Sequence, residues 1–135
     1  METTTAETWL YGVLSGDATL AGLVSTRIYG YLAPNSATYP LVVYQYQAGS
    51  DLMGVGTARI WSDSVYVIKA IAKAETFGTL KTIADRIDTL LHAESGSATG
   101  GSVVGCVRER AYSLVEVVDT VQLRHLGGIY RILVQ

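Results

Sequence analysis

The N-terminal part of the chain alternates apolar and polar residues at helical spacing. Thr4 and Glu7, three residues apart, fit a capping box at the start of a first helix. Asp17 follows Ser15-Gly16 and is placed to cap a second, short helix. The apolar stripe of the first helix comprises Trp9, Leu10, Val13 and Leu14. We therefore predict two short helices at the start of the chain.

The strongest helical pattern lies in the middle of the chain. Thr76 is placed to cap it, and charged residues such as Lys81 and Arg86 occupy the side opposite the apolar stripe. The apolar residues recur at gaps of three and one: Phe77, Leu80, Ile83, Ala84, Ile87, Leu90 and Leu91. This pattern predicts a long amphipathic helix.

The remaining segments show the period of two that is typical of β-strands. The predicted strands run from Leu41 to Gln47, from about 58 to 73, from 103 to about 118, and from about 122 to 134. Residues 94–102 form a Gly/Ser-rich segment that we predict to be a loop. Gly127-Gly128 indicates a bulge or turn in the last strand.

Together these elements predict an α+β fold with a mainly antiparallel sheet. One long amphipathic helix packs across the sheet, short helices precede it, and residues 1–135 form one domain. A single helix covers only one face of a sheet. The face that bears Val65, Val67 and Ile71 therefore needs cover from the N-terminal helices or from a neighbouring subunit.

Composition narrows the functional classes. Hydrophobic residues make up 49% of the chain and charged residues 16%, which excludes a disordered polymer and favours self-association. The net charge of -2 argues against a dedicated nucleic-acid-binding protein. The single Cys106 cannot form an internal disulfide and is interpreted as a core residue. With no apolar run of about 20 residues, we expect a protein made in the cytoplasm that does not enter a membrane.

The sequence offers no arrangement of residues that is typical of a catalytic site. His92 lies at the end of the predicted long helix, where a positive side chain interacts favourably with the negative end of the helix dipole, so its position needs no metal. His125 has no metal ligand close to it in sequence. Gly54-Val55-Gly56 lacks the lysine and the helix of a phosphate-binding loop. We expect no enzymatic activity, no metal and no cofactor.

The most unusual segment is Ala48–Thr57, which connects two predicted strands. It carries three apolar residues, Leu52, Met53 and Val55, that a freely solvated loop has no reason to contain. One interpretation is that these side chains fold back onto their own sheet. Our hypothesis is that they form an interface with a neighbouring subunit or a tube, together with Val65, Val67 and Ile71 of the exposed sheet face.

The order of segments resembles the tail-completion, or tail-terminator, proteins of long-tailed bacteriophages. The resemblance is carried by "LSGDATLAGLVSTRIYGYLAP", "YPLVVYQY", "VYVIKAIAKAETFGTLKTIADRIDTLLH" and "GIYRILVQ", in that order along nearly the whole chain. None of these motifs is specific alone, so their order and spacing carry the argument.

The resemblance implies a virion protein without catalytic residues. It implies a homo-hexameric ring that caps the tail tube protein, joins the tail to a head-completion or neck protein, and lets DNA pass through its lumen. The alternatives are a head-completion or neck adaptor protein of the same particle and, in another class, a small soluble enzyme or ligand-binding α+β domain.

Overall fold

Residues 2–135 form three helices and six strands. The computed structural model describes residues 2–135, and the side chains from residue 4 onward. The helices are α1 (Glu2–Ser15), α2 (Ala18–Val24) and α3 (Gly78–Leu91). The strands are β1 (Ile28–Gly30), β2 (Leu41–Met53), β3 (Arg59–Lys73), β4 (Glu94–Ala98), β5 (Gly101–Val118) and β6 (Val121–Val134). None of the described helices has the length and apolar character needed to cross a bilayer.

The strands form one sheet in the order β1-β2-β3-β6-β5-β4. Two long hairpins, β2–β3 and β5–β6, supply its four central strands, and β3 pairs with β6 in the middle. All of these pairs are antiparallel, whereas β1 runs parallel to β2. The sheet is therefore mixed, with a very short strand at each edge.

The three helices pack on one face of the sheet, which we call the helix face. The predicted stripe of α1 is confirmed, because Trp9, Leu10 and Leu14 are buried in the core. The sheet contributes the even-numbered residues of β3 and their partners on β6: Tyr66, Ile68, Ala70, Ala72, Tyr130, Ile132 and Val134. These residues point to the same face because side chains alternate along a strand.

The predicted fold class is wrong. The chain is mostly β, with about half of its residues in strands and about a quarter in helices, and its curled sheet is mixed. No long helix packs across the sheet: α3 has 14 residues, as many as α1, and shares the helix face with α1 and α2. Sequence periodicity identified the buried stripe of α3 and placed β3, β5 and β6 close to their observed bounds, but it missed strand β4 and the extension of β2 from Gln47 to Met53.

Three local predictions are also wrong. Thr4 lies inside α1, which begins at Glu2, and its carbonyl accepts a hydrogen bond from Thr8 Oγ1 at 2.8 Å. The N-cap of α3 is Phe77 rather than Thr76, and no side chain caps it. Residues 94–98 form strand β4, because β5 supplies a partner for their backbone and the Trp9 indole packs directly on Gly96.

The predicted role of Asp17 as a helix cap is confirmed, and Asp17 also binds Arg86 of α3. Its carboxylate accepts the backbone N–H of Leu20 at 2.8 Å. It also accepts two hydrogen bonds from the Arg86 guanidinium, at 2.9 and 2.6 Å, which tie the start of α2 to α3. These hydrogen bonds with Arg86 lower the pKa of Asp17 from 3.8 to about 2.

Replacing Asp17 by alanine is expected to destabilise the protein by at least about 1 kcal/mol at neutral pH, since the helix cap is lost. A depressed pKa adds stability above the unfolded value of 3.8, and this contribution disappears as pH falls toward about 2. The difference between wild type and Asp17→Ala should therefore shrink between pH 4 and pH 2 in denaturant titrations. Asp85→Asn is the control, because its pair with Lys81 is 75% and 66% exposed. An unchanged difference across this range would contradict the prediction.

Candidate assembly surface

The β2–β3 hairpin projects beyond the rest of the sheet. The last β3 residue paired with β6 is Ser62, opposite Val134, yet β2 and β3 stay paired as far as Met53 and Arg59. The tip is closed by a hydrogen bond from the Gly54 N–H to the Ala58 carbonyl at 2.7 Å. We call residues 48–61 the arm.

The arm carries the three apolar residues that the sequence singled out. Leu52 is 47% exposed, Met53 51%, and Val55 at the tip is fully exposed. Ile60, on the returning strand, is 45% exposed and was missed, because its alternation read as an ordinary strand. These side chains therefore do not fold back onto their own sheet.

Polar contacts hold the base of the arm. Asp51 accepts a hydrogen bond from the Ser62 hydroxyl at 2.7 Å and lies 3.4 Å from the Arg59 guanidinium. These contacts join β2 to β3 at the last position where β6 pairs with β3 and just beyond it. They favour a formed ribbon over an unstructured loop, which makes the arm suited to contact another protein.

The other three predicted interface residues lie within the sheet, on the face opposite the helices. Val67 is 4% exposed, whereas Val65 and Ile71 are half-buried. Their strand neighbours Leu41 and Val43 are 0% and 3% exposed, although α1 and α2 pack on the helix face. The chain's own residues thus cover much of this second face, and the six predicted residues form two groups rather than one surface.

A groove of about 460 Å³ runs over this second face. It lies between the 31–39 segment and the sheet, and it contains Lys69, Glu116 and His125. His125 Nε2 lies 2.7 Å from Glu116 Oε1, and burial lowers the pKa of the imidazole. A neutral imidazole that donates its Nε2–H to the Glu116 carboxylate joins β6 to β5. The role of this pair is therefore structural.

The other chemically active side chains also have structural surroundings. Cys106 is 1% exposed, as predicted, and burial raises the pKa of its thiol to about 12, so the thiolate is scarce at neutral pH. His92 Nδ1 accepts the backbone N–H of Arg108 at 3.0 Å. This hydrogen bond links His92, at the end of α3, to β5. No group of three potential metal ligands occurs among residues 2–135.

A second exposed apolar surface lies at the far end of β5 and was missed. Leu114, Val115, Val117 and Val118 are 41%, 46%, 66% and 48% exposed. The signal in the sequence was a run with apolar residues on both faces, which we interpreted only as part of a predicted strand. Exposed apolar surfaces of this kind mark contacts with other proteins.

Exposed apolar residues on the arm and at the far end of β5 are typical of a protein that assembles with other proteins. The sequence profile of the Tail completion protein gp17 family matches residues 8–134. The chain therefore belongs to this family and is a structural protein of the bacteriophage virion that acts in tail completion.

The fold is shared with a solved virion protein. A chain of the structure described as "Virion of native gene transfer agent (GTA) particle" superposes with a TM-score of 0.83 and is 24% identical. The alignment covers 98% of this chain and 96% of that chain. No curated protein matches the sequence at a significant level.

Proposed function

We propose that this protein forms a homo-hexameric ring that ends the growth of the phage tail tube and joins the tail to the neck. Membership of the tail completion family supports a position at this end of the tail. The observation that carries the proposal is the arm, which exposes the apolar side chains of Leu52, Met53 and Val55.

In this proposal the arm contacts the tail tube protein or the adjacent subunit, and the opposite end of the ring contacts a head-completion or neck protein. DNA passes through the lumen without specific binding. The net charge of -2 supports this passage, because a basic lumen would retain the phosphate backbone. The protein acts by packing rather than by catalysis, and it is made in the host cytoplasm before joining the virion.

The double variant Leu52→Ser/Met53→Ser tests the role of the arm. Both side chains are about half exposed, so monomer stability should change by no more than about 0.5 kcal/mol per site. Ring formation or tail capping should fail, because the apolar contact area is lost. The measurements are thermal unfolding of the free protein and tail length by electron microscopy of particles that carry the variant.

Tyr11→Ser is the matched control, since Tyr11 is 46% exposed but lies on α1, away from the arm. Particles with this variant should have tails of normal length. If the arm variant also gives capped tails of normal length, or if it unfolds the monomer, the proposed role of the arm is wrong.

A further inference from the structure

Two long strands each have an outer edge that is only half covered. On β5, strand β4 pairs along residues 101–106 only, and His92 takes the N–H of Arg108. On β2, strand β1 pairs with Val42–Tyr44 only, and the Tyr31 N–H reaches the Tyr44 carbonyl. Within residues 2–135, no strand covers the outer edge of β5 from 110 to 118 or of β2 from 45 to 53. We call these the β5 edge and the β2 edge.

Uncovered edges of this length are unusual, because free backbone N–H and C=O groups recruit other strands. Soluble proteins protect such edges with proline, lysine or covering loops. The β5 edge has neither proline nor lysine, and four of its side chains are exposed and apolar: Leu114, Val115, Val117 and Val118. The edge is therefore suited to accept a partner strand.

We propose that the β5 edge of one copy pairs with the β2 edge of the next copy, so that a continuous sheet runs around the assembly. This inference rests on the proposed ring and names its subunit contact. The two edges lie on opposite sides of the sheet in the order β1-β2-β3-β6-β5-β4. A contact between different surfaces of identical subunits is head-to-tail, and such contacts close into rings.

Strand direction fits this pairing. Because β2–β3, β3–β6 and β6–β5 are all antiparallel, β2 and β5 run in opposite directions. Rotation about an axis roughly along the strands keeps their directions, so the β5 edge meets the next β2 edge antiparallel. The joined sheet would continue the alternation of its own central strands.

The positions of the edges along the strands also fit a closed ring. Gln45 and Arg110 both lie at the level of Val67, the first through β2–β3 pairing and the second through Ile129 of β6. From that level the β2 edge runs toward the arm, whereas the β5 edge runs toward Val118. If two copies stood at the same level, the β5 edge of one would therefore lie beside almost none of the β2 edge of the next.

Closure supplies the missing offset. A sheet that closes on itself tilts its strands by about 35–45° and staggers their register. Four strands about 4.8 Å apart, tilted by about 40°, displace the next copy by roughly 16 Å, or about five residues along the strand. A tilt of the appropriate hand brings roughly half of each edge side by side, which is a strand pair of ordinary length.

Blocking one edge at a time tests the contact. Val115→Lys/Val117→Lys blocks the β5 edge, and Ser50→Lys/Leu52→Lys blocks the β2 edge, all at exposed positions. Wild type should form rings in sedimentation velocity and light scattering as its concentration rises. Each blocked variant alone should keep the mass of one chain, 14.5 kDa. An equimolar mixture should give a 1:1 dimer and nothing larger. The β5-blocked variant keeps only its β2 edge and the β2-blocked variant only its β5 edge, so a single contact can form.

Each other outcome overturns the edge pairing. A β2-blocked variant that dimerises alone would show β5 pairing with itself. Blocked variants that still form rings would place the contact elsewhere and leave the proposed ring intact. A wild-type chain that stays monomeric up to its solubility limit also contradicts the edge pairing. Failure of the proposed function appears separately, as rings that assemble but do not set tail length.

Discussion

Replacing Ile83 by aspartate is expected to prevent folding. Ile83 has no exposed surface and lies in the core where α3 meets the sheet. A carboxylate buried there without a partner costs several kcal/mol, comparable with the total stability of ~5–15 kcal/mol of a small protein. The variant should be found in the insoluble fraction, or show no cooperative unfolding transition by circular dichroism.

Two controls separate burial from the effect of a new charge on α3. Thr82→Asp places the same charge on the neighbouring exposed position and should fold normally. Ile83→Val removes one methylene and should cost about 1 kcal/mol. A soluble Ile83→Asp protein with a melting temperature close to wild type would show that the apolar face of α3 does not pack as described.

Periodicity predicted the buried side of most elements because burial itself produces it. The stripe of α1, the face of α3 and the alternation of β3 each follow from which side chains meet the core, and most of these side chains are buried, the rest half-buried. Cys106 was predicted to be a core residue for the same reason, and it is. Such patterns are local, so one sequence is enough to read them.

The features that the sequence did not predict depend on partners far along the chain. Strand β4 forms from a Gly/Ser-rich segment because β5 and Trp9 provide its neighbours. The salt bridge between Asp17 and Arg86 joins residues 69 positions apart. No local pattern contains these pairs, and they changed a predicted loop and a predicted solvent-facing arginine into parts of the fold.

The candidate surface shows the same division. Leu52, Met53 and Val55 were predicted because apolar residues in a glycine-rich connection have no local explanation, and the structure exposes them. Val67, which belongs to the same interface hypothesis, is buried within the sheet of one chain. The β5 edge was missed, because an apolar strand is interpreted as buried until the sheet order shows that no described strand pairs with its outer side there.

Gly127 is not the bulge or turn that the sequence indicated. It lies in mid-strand on β6, opposite Lys69 of β3 and Tyr112 of β5, where the register is unbroken. Lys69 Nζ lies 5.2 Å from the centre of the Tyr112 ring, so the lysine side chain crosses above Gly127 to reach it. The β-bulge of this region lies instead between Arg108 and Arg110.

Gly127→Ala is therefore expected to be among the most damaging small substitutions. A Cβ at this position would lie 2.1 Å from the Ile68 carbonyl oxygen and 2.6 Å from the Lys69 Cα, both backbone atoms that cannot rotate away. The central β3–β6 pair would have to move apart, at a cost of about 3 kcal/mol or more, which should lower the melting temperature by at least about 10 °C.

Gly105→Ala on β5 is the matched control, because nothing lies within 4 Å of its added Cβ. It should leave stability unchanged or raise it by up to about 1 kcal/mol, since alanine loses less backbone entropy on folding. Equal melting temperatures for the two variants would show that β3 and β6 do not approach as closely at Gly127 as described.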